Sequence, residues 1–89
     1  MALTRDQLVQ VALRAQQAGS LREAAADLRR TMPALRVSVV DALDMRGESP
    51  VLNLERCKVF LMQSDGHCWS VTRDPAEAVG IVLVEAEAA

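Results

Sequence analysis

Residues 58–72 read KVFLMQSDGHCWSVT. Two runs rich in apolar residues flank the pair Asp65-Gly66. Asp-Gly between such runs is a strong hairpin signal, because a type I′ turn needs positive φ at both central positions. The stretch therefore predicts an antiparallel hairpin with strands over Lys58–Ser64 and His67–Thr72. In a two-residue turn Ser64 faces His67, Gln63 faces Cys68 and Met62 faces Trp69. Side chains alternate between the faces of a strand. One face then carries Phe60, Met62, Trp69 and Val71; the other carries Val59, Leu61, Gln63, Cys68, Ser70 and Thr72.

The chain before this hairpin holds one more strand pattern and a helix pair. Leu35, Val37 and Val39 alternate with Arg36 and Ser38, as in a half-buried strand. Asp41–Pro50 reads as a loop that can hold one helical turn over Ala42–Arg46, and Val51–Leu54 as a short strand. Thr4 followed by Gln7, and Ser20 followed by Glu23, both fit capping boxes. They predict helices over about residues 5–18 and 21–31. Leu8, Val11, Ala12 and Ala15 recur at helical spacing in the first, and Leu21, Ala24, Ala25 and Leu28 in the second. Gly19 is expected to stop the first helix in a left-handed conformation, and Pro33 ends the second.

After the hairpin, Asp74-Pro75-Ala76-Glu77 combines an N-cap, a Pro at the first helical position and an acid two residues on, so a short helical turn is expected. Ile81–Val84 is a run of four aliphatic residues. It reads as a strand buried on both faces, or as one whose second face meets a partner. Residues 85–89 read as a fraying tail. The resulting fold class is α+β: an N-terminal helix hairpin packed on a small, mainly antiparallel sheet of three to five strands, with residues 1–89 as one domain.

Composition limits the chemistry. Hydrophobic residues make up 51% of the 89-residue chain, enough for a packed core rather than disorder. Phe60 and Trp69 are the only aromatic residues, so stacking platforms for single-stranded nucleic acid are scarce. The N-terminus has no signal-peptide pattern, and the longest purely apolar run falls far short of the ~20 residues that span a bilayer. A cytoplasmic protein without membrane association is expected.

No catalytic, cofactor-binding or metal-ligating residues are assigned. Cys57, His67 and Cys68 lie close in sequence, but the hairpin register puts Cys57 about 20 Å from Cys68 at ~3.3 Å per residue. A disulfide needs Cα atoms within about 7 Å. Adjacent His67 and Cys68 point to opposite faces of a strand, which forbids a dyad. Asp41, Asp44 and Glu48 lack the alternating oxygen ligands of a calcium loop.

Two binding readings remain. The first is a non-enzymatic accessory protein that binds another protein or a second copy of itself. The face with Trp69, Met62 and Phe60 is expected to pack on the helices, which leaves Val59, Leu61, Gln63, Cys68 and Ser70 as the partner-binding face. In the second reading the helix pair acts as a helix-turn-helix-like element, with Arg22, Arg29 and Arg30 meeting nucleic-acid phosphates. The basic excess of residues 1–36, six arginines against Asp6, Glu23 and Asp27, fits this. The acids Glu23 and Asp27 on the same helix, and the net charge of −2, count against it.

Overall fold

The computed structural model describes residues 3–85. Two helices are followed by a five-stranded mixed sheet, an α+β arrangement with the helix pair packed on one face.

Helix α1 spans Arg5–Gln17. Its capping box is complete: the Gln7 N–H donates to Thr4 Oγ1 at 3.1 Å, and the Thr4 N–H donates to Gln7 Oε1 at 2.9 Å. Helix α2 spans Leu21–Thr31. Here the box is altered. Ser20 Oγ accepts from the Glu23 N–H, but the Glu23 carboxylate accepts from the Gly19 N–H rather than from that of Ser20. Gly19 is not left-handed as expected, since positive φ among the described glycines occurs at Gly47 and Gly66. An added Cβ at position 19 would lie 2.6 Å from Glu23 Oε2, so a larger residue would displace the returning carboxylate.

The strands are β1 (Arg36–Val40), β2 (Leu52–Asn53), β3 (Cys57–Ser64), β4 (Trp69–Thr72) and β5 (Gly80–Glu85). Short 3₁₀ turns occupy Ala42–Met45 and Pro75–Glu77. The order is β1-β5-β3, with β1 parallel to β5 and β3 antiparallel to it. The outer flank of β3 is shared: β2 pairs with its first half and β4 with its second. The strand β5 is thus central and buried from Gly80 to Val84, which accounts for its unbroken aliphatic run.

The hairpin turn is wider than the two-residue turn expected. Ser64 pairs with Trp69 and Met62 with Val71, so residues 65–68 form a four-residue connection. A type I′ turn needs positive φ at Asp65, and no described residue other than glycine has it. Instead Asp65 Oδ1 accepts from the N–H groups of His67 and Cys68, at 2.9 and 2.8 Å. The side chain closes the loop that the backbone was expected to close. The register shift is two residues, so Trp69–Thr72 keep their predicted faces, while His67 and Cys68 leave the strand for the loop.

What changes is which face the helices cover. Val11, Ala15, Ala24, Ala25 and Leu28 of the helices form one core with Val37, Cys57, Val59, Leu61, Ile81 and Leu83 of the sheet. The small helix residues let the backbones come close, and branched aliphatic side chains of the sheet fill the space. Leu28, Leu61, Ile81 and Leu83 are fully buried, each worth about 1.5–3 kcal/mol in apolar transfer. Phe60, Val82 and Val84 form a second, smaller cluster on the opposite face, covered by Ala42 and Met45.

Candidate functional site

The residues expected to form a partner-binding face do not form one surface. Val59 and Leu61 are 0% exposed beneath the helices, so they belong to the core. Gln63, Cys68 and Ser70 lie toward the hairpin tip, where the Gln63 amide donates to Ser70 Oγ at 3.3 Å. The sheet face left open is the one expected to be core.

The open face has an ordered geometry. One cross-strand row runs Arg36–Gly80–Met62–Val71. Trp69 stands two pairs further along β4, on the same face and opposite Ser64. Two strand spacings, about 10 Å, separate β4 from β5, yet the indole lies across the sheet against Gly80. An added Cβ at Gly80 would sit 3.4 Å from Trp69 Cζ3 and 3.0 Å from the Arg36 carbonyl oxygen. The close approach that favours glycine here is that of Arg36, and the ring rests at ordinary contact distance beside it. On the far side the Arg36 guanidinium lies over the ring, 5.4 Å from its centroid. An exposed cation–π contact of this kind contributes ~0.5–1 kcal/mol.

The Trp69–Arg36 stack makes one wall of a cleft of about 320 Å³. Val82 of β5, Met62 of β3, Met45 of the 3₁₀ turn, and Val40 and Ser38 of the edge strand β1 line it as well. Trp69 is 45% exposed. Arg36 is the charged residue among those lining the cleft. As a cation with a planar fork of N–H donors, Arg36 attracts and orients an anion.

The three arginines assigned to phosphate contact are exposed on α2, but two have other partners. Arg29 donates through Nε and Nη2 to the Val37 carbonyl oxygen, at 3.1 and 2.8 Å. The Arg36 N–H bonds across to Val79 O, so strand alternation turns the Val37 backbone carbonyl to the open edge while its side chain stays in the core. Arg29 thus clamps α2 to β1 and satisfies part of that edge. Arg30 pairs with Asp27, which also accepts from Arg14 Nη1 at 2.7 Å. The Arg14 hydrogen bond chiefly, and the charges of Arg14 and Arg30, outweigh desolvation and hold the Asp27 carboxyl below its ordinary value. Arg22 stands in the first turn of α2, at a cavity shared with Val39, Arg56 and Glu85.

The remaining titratable groups do not converge. Cys57 is buried and its thiol is pushed up by desolvation, with Arg56 opposing; Cys68 is exposed, and both are free. The N–H groups of Cys68 and His67 hold the Asp65 carboxyl below its ordinary value. Among the described residues no three His, Cys, Asp or Glu side chains come together as a metal site, and no helix is long and apolar enough to cross a membrane.

Arg36, Ser38, Met45 and Gly80 escaped the sequence reading of the site. Arg36 and Trp69 meet only because β1 pairs with β5, an order the sequence does not give. Gly80 carried a usable signal, since a glycine inside a strand pattern often marks a close approach of other atoms.

No curated protein and no solved structure matches the chain. A family model does match, over residues 6–86, nearly the whole length. The protein belongs to the family of unknown function DUF6129.

Proposed function

We propose that this domain is a non-enzymatic interaction module that binds another protein, or a second copy of itself, through the sheet face bearing Trp69. The single observation that supports this best is the exposed indole, held across the open face with Met62 and Val71 half-buried beside it. Trp, Met and Arg are enriched in protein interfaces, and Trp and Arg among the residues that dominate their energetics. The setting proposed is the cytoplasm, which accords with two free cysteines, one of them exposed.

The nucleic-acid reading has weaker support, because Arg29 and Arg30 already satisfy partners within the fold. The test is native mass spectrometry of the protein isolated gently from its host, as wild type and as Trp69→Ser. A complex or homodimer that disappears in the variant, at an unchanged melting temperature, is the expected result. A complex that survives both Trp69→Ser and Met62→Lys sinks the reading.

A further inference from the structure

The cleft beside Trp69 is specific about charge as well as shape. Its lining offers apolar side chains and a single cation, with no acid. Among the described residues the ion pairs engage Arg14 and Arg30, not Arg36. Arg36 is held by the indole ring instead. A cation–π contact uses the charge and not the N–H donors, and among the described residues no hydrogen bond or ion pair engages the Arg36 guanidinium, a group that takes a carboxylate with two parallel hydrogen bonds. At about 320 Å³ the cleft stands at the small end of ligand pockets, ~300–1,000 Å³. Small-molecule pockets bury most of their ligand, whereas this cleft lies open along an edge strand with Trp69 in solvent. Such a trough suits one or two anchoring side chains of a larger partner.

Resting on the interaction reading above, we infer that the partner presents a segment with an apolar side chain that enters the Met62–Val82 cleft and a neighbouring Asp or Glu that pairs with Arg36. The attraction is local, since the chain as a whole has a net charge of −2. It weakens as salt screens the exposed arginine.

Trp69 is the chain's only tryptophan, so its emission reports the cleft directly. The probes are two peptides, acetyl-Leu-Glu-Leu-Glu-Leu amide and its Lys counterpart, titrated into the intact protein at low and high salt. The acidic peptide is expected to shift the emission saturably and to bind about tenfold tighter, the ratio that one hydrogen bond to a charged group carries. In Arg36→Gln that preference disappears. In Ser38→Phe, which adds bulk to the lining of the cleft from an exposed position, both peptides bind more weakly.

Equal binding of the two peptides, or none of either, overturns the inference. So does hexanoate binding as tightly as the acidic peptide, which makes the site one for a small apolar acid. If the host complex still depends on Trp69 in those cases, the interaction reading stands without the acidic segment. If the complex ignores Trp69, the interaction reading is what has failed.

Discussion

The two faces of this sheet are built from the same strands and end up in opposite conditions. On one, Cys57, Val59, Leu61, Ile81 and Leu83 are at most 1% exposed under two helices. On the other, Phe60, Val82 and Val84 are buried under a single 3₁₀ turn, and the rest of the face is covered only by the Trp69 ring. Both faces are apolar, so hydrophobicity does not separate them. The cover does: eleven- and thirteen-residue helices close a face, whereas a four-residue turn leaves part of it open.

Neighbouring residues of β3 give the largest test. Leu61→Lys buries a charge in the closed face and is expected to cost more than about 4 kcal/mol. That is comparable with the whole stability of a domain this size, ~0.05–0.15 kcal/mol per residue, so circular dichroism should show an unfolded chain. Met62→Lys puts the same side chain one residue on, where it can extend to solvent, and is expected to cost less than about 1.5 kcal/mol. A Leu61→Lys chain that stays folded, with a denaturant midpoint no lower than that of Met62→Lys, breaks the contrast between the faces.

Gly80→Ala tests the open face alone. The added methyl group meets the Arg36 carbonyl and the Trp69 ring together. Overpacking of this kind costs ~1–3 kcal/mol. The expected result is a lower melting temperature with an altered Trp69 emission spectrum. An unchanged melting temperature means that β1 does not approach Gly80 as closely as the 3.0 Å from Arg36 O requires.

Sequence reasoning found the elements and missed the cover, for a physical reason. Helix starts are local events, written in Thr4, Gln7 and Ser20, and both helices begin where those residues place them. Strand faces follow from alternation, so Phe60, Met62, Trp69 and Val71 were correctly grouped even though the turn was misjudged. Which group the helices cover depends on β1 reaching β5 across some forty intervening residues, and no short-range pattern records that. The preference of aromatic residues for cores pointed to the Trp69 side.

Arg29 sharpens the comparison at the sheet edge. Its fork on Val37 O is a structural use of a residue that the sequence assigned to phosphate. Arg29→Lys keeps the charge and loses the two-pronged contact, so stability is expected to fall by about 1 kcal/mol. Unchanged stability, with nucleic-acid binding that depends on the charge at this position and weakens steeply with salt, revives the helix-pair reading.

The smallest expected effect is also the one that asks how the helix cover holds together. Asp27 joins α2 to Arg14 of α1 on the outer surface, with 24% of its side chain exposed. Its carboxyl is held below the ordinary value of 3.8, chiefly by the Arg14 hydrogen bond. A carboxyl depressed in the folded state stabilises the fold fully above its unfolded value, and loses that contribution as pH falls through the folded value. Asp27→Asn is therefore expected to be less stable than wild type at neutral pH, with the gap closing as the solution is acidified below 3.8. Asp65 has a lowered carboxyl pKa too, but it is present in both proteins and cancels in the difference. Paired thermal melts between pH 7 and pH 2 read the gap, roughly across the range where carboxylates titrate. A gap that stays constant with pH does not come from the charge on Asp27, since protonating the carboxyl then leaves it unchanged. No gap at any pH leaves the closed face held by Val11, Ala15, Ala24, Ala25 and Leu28 alone, so the surface ion pair would then contribute nothing to keeping the two helices on the sheet.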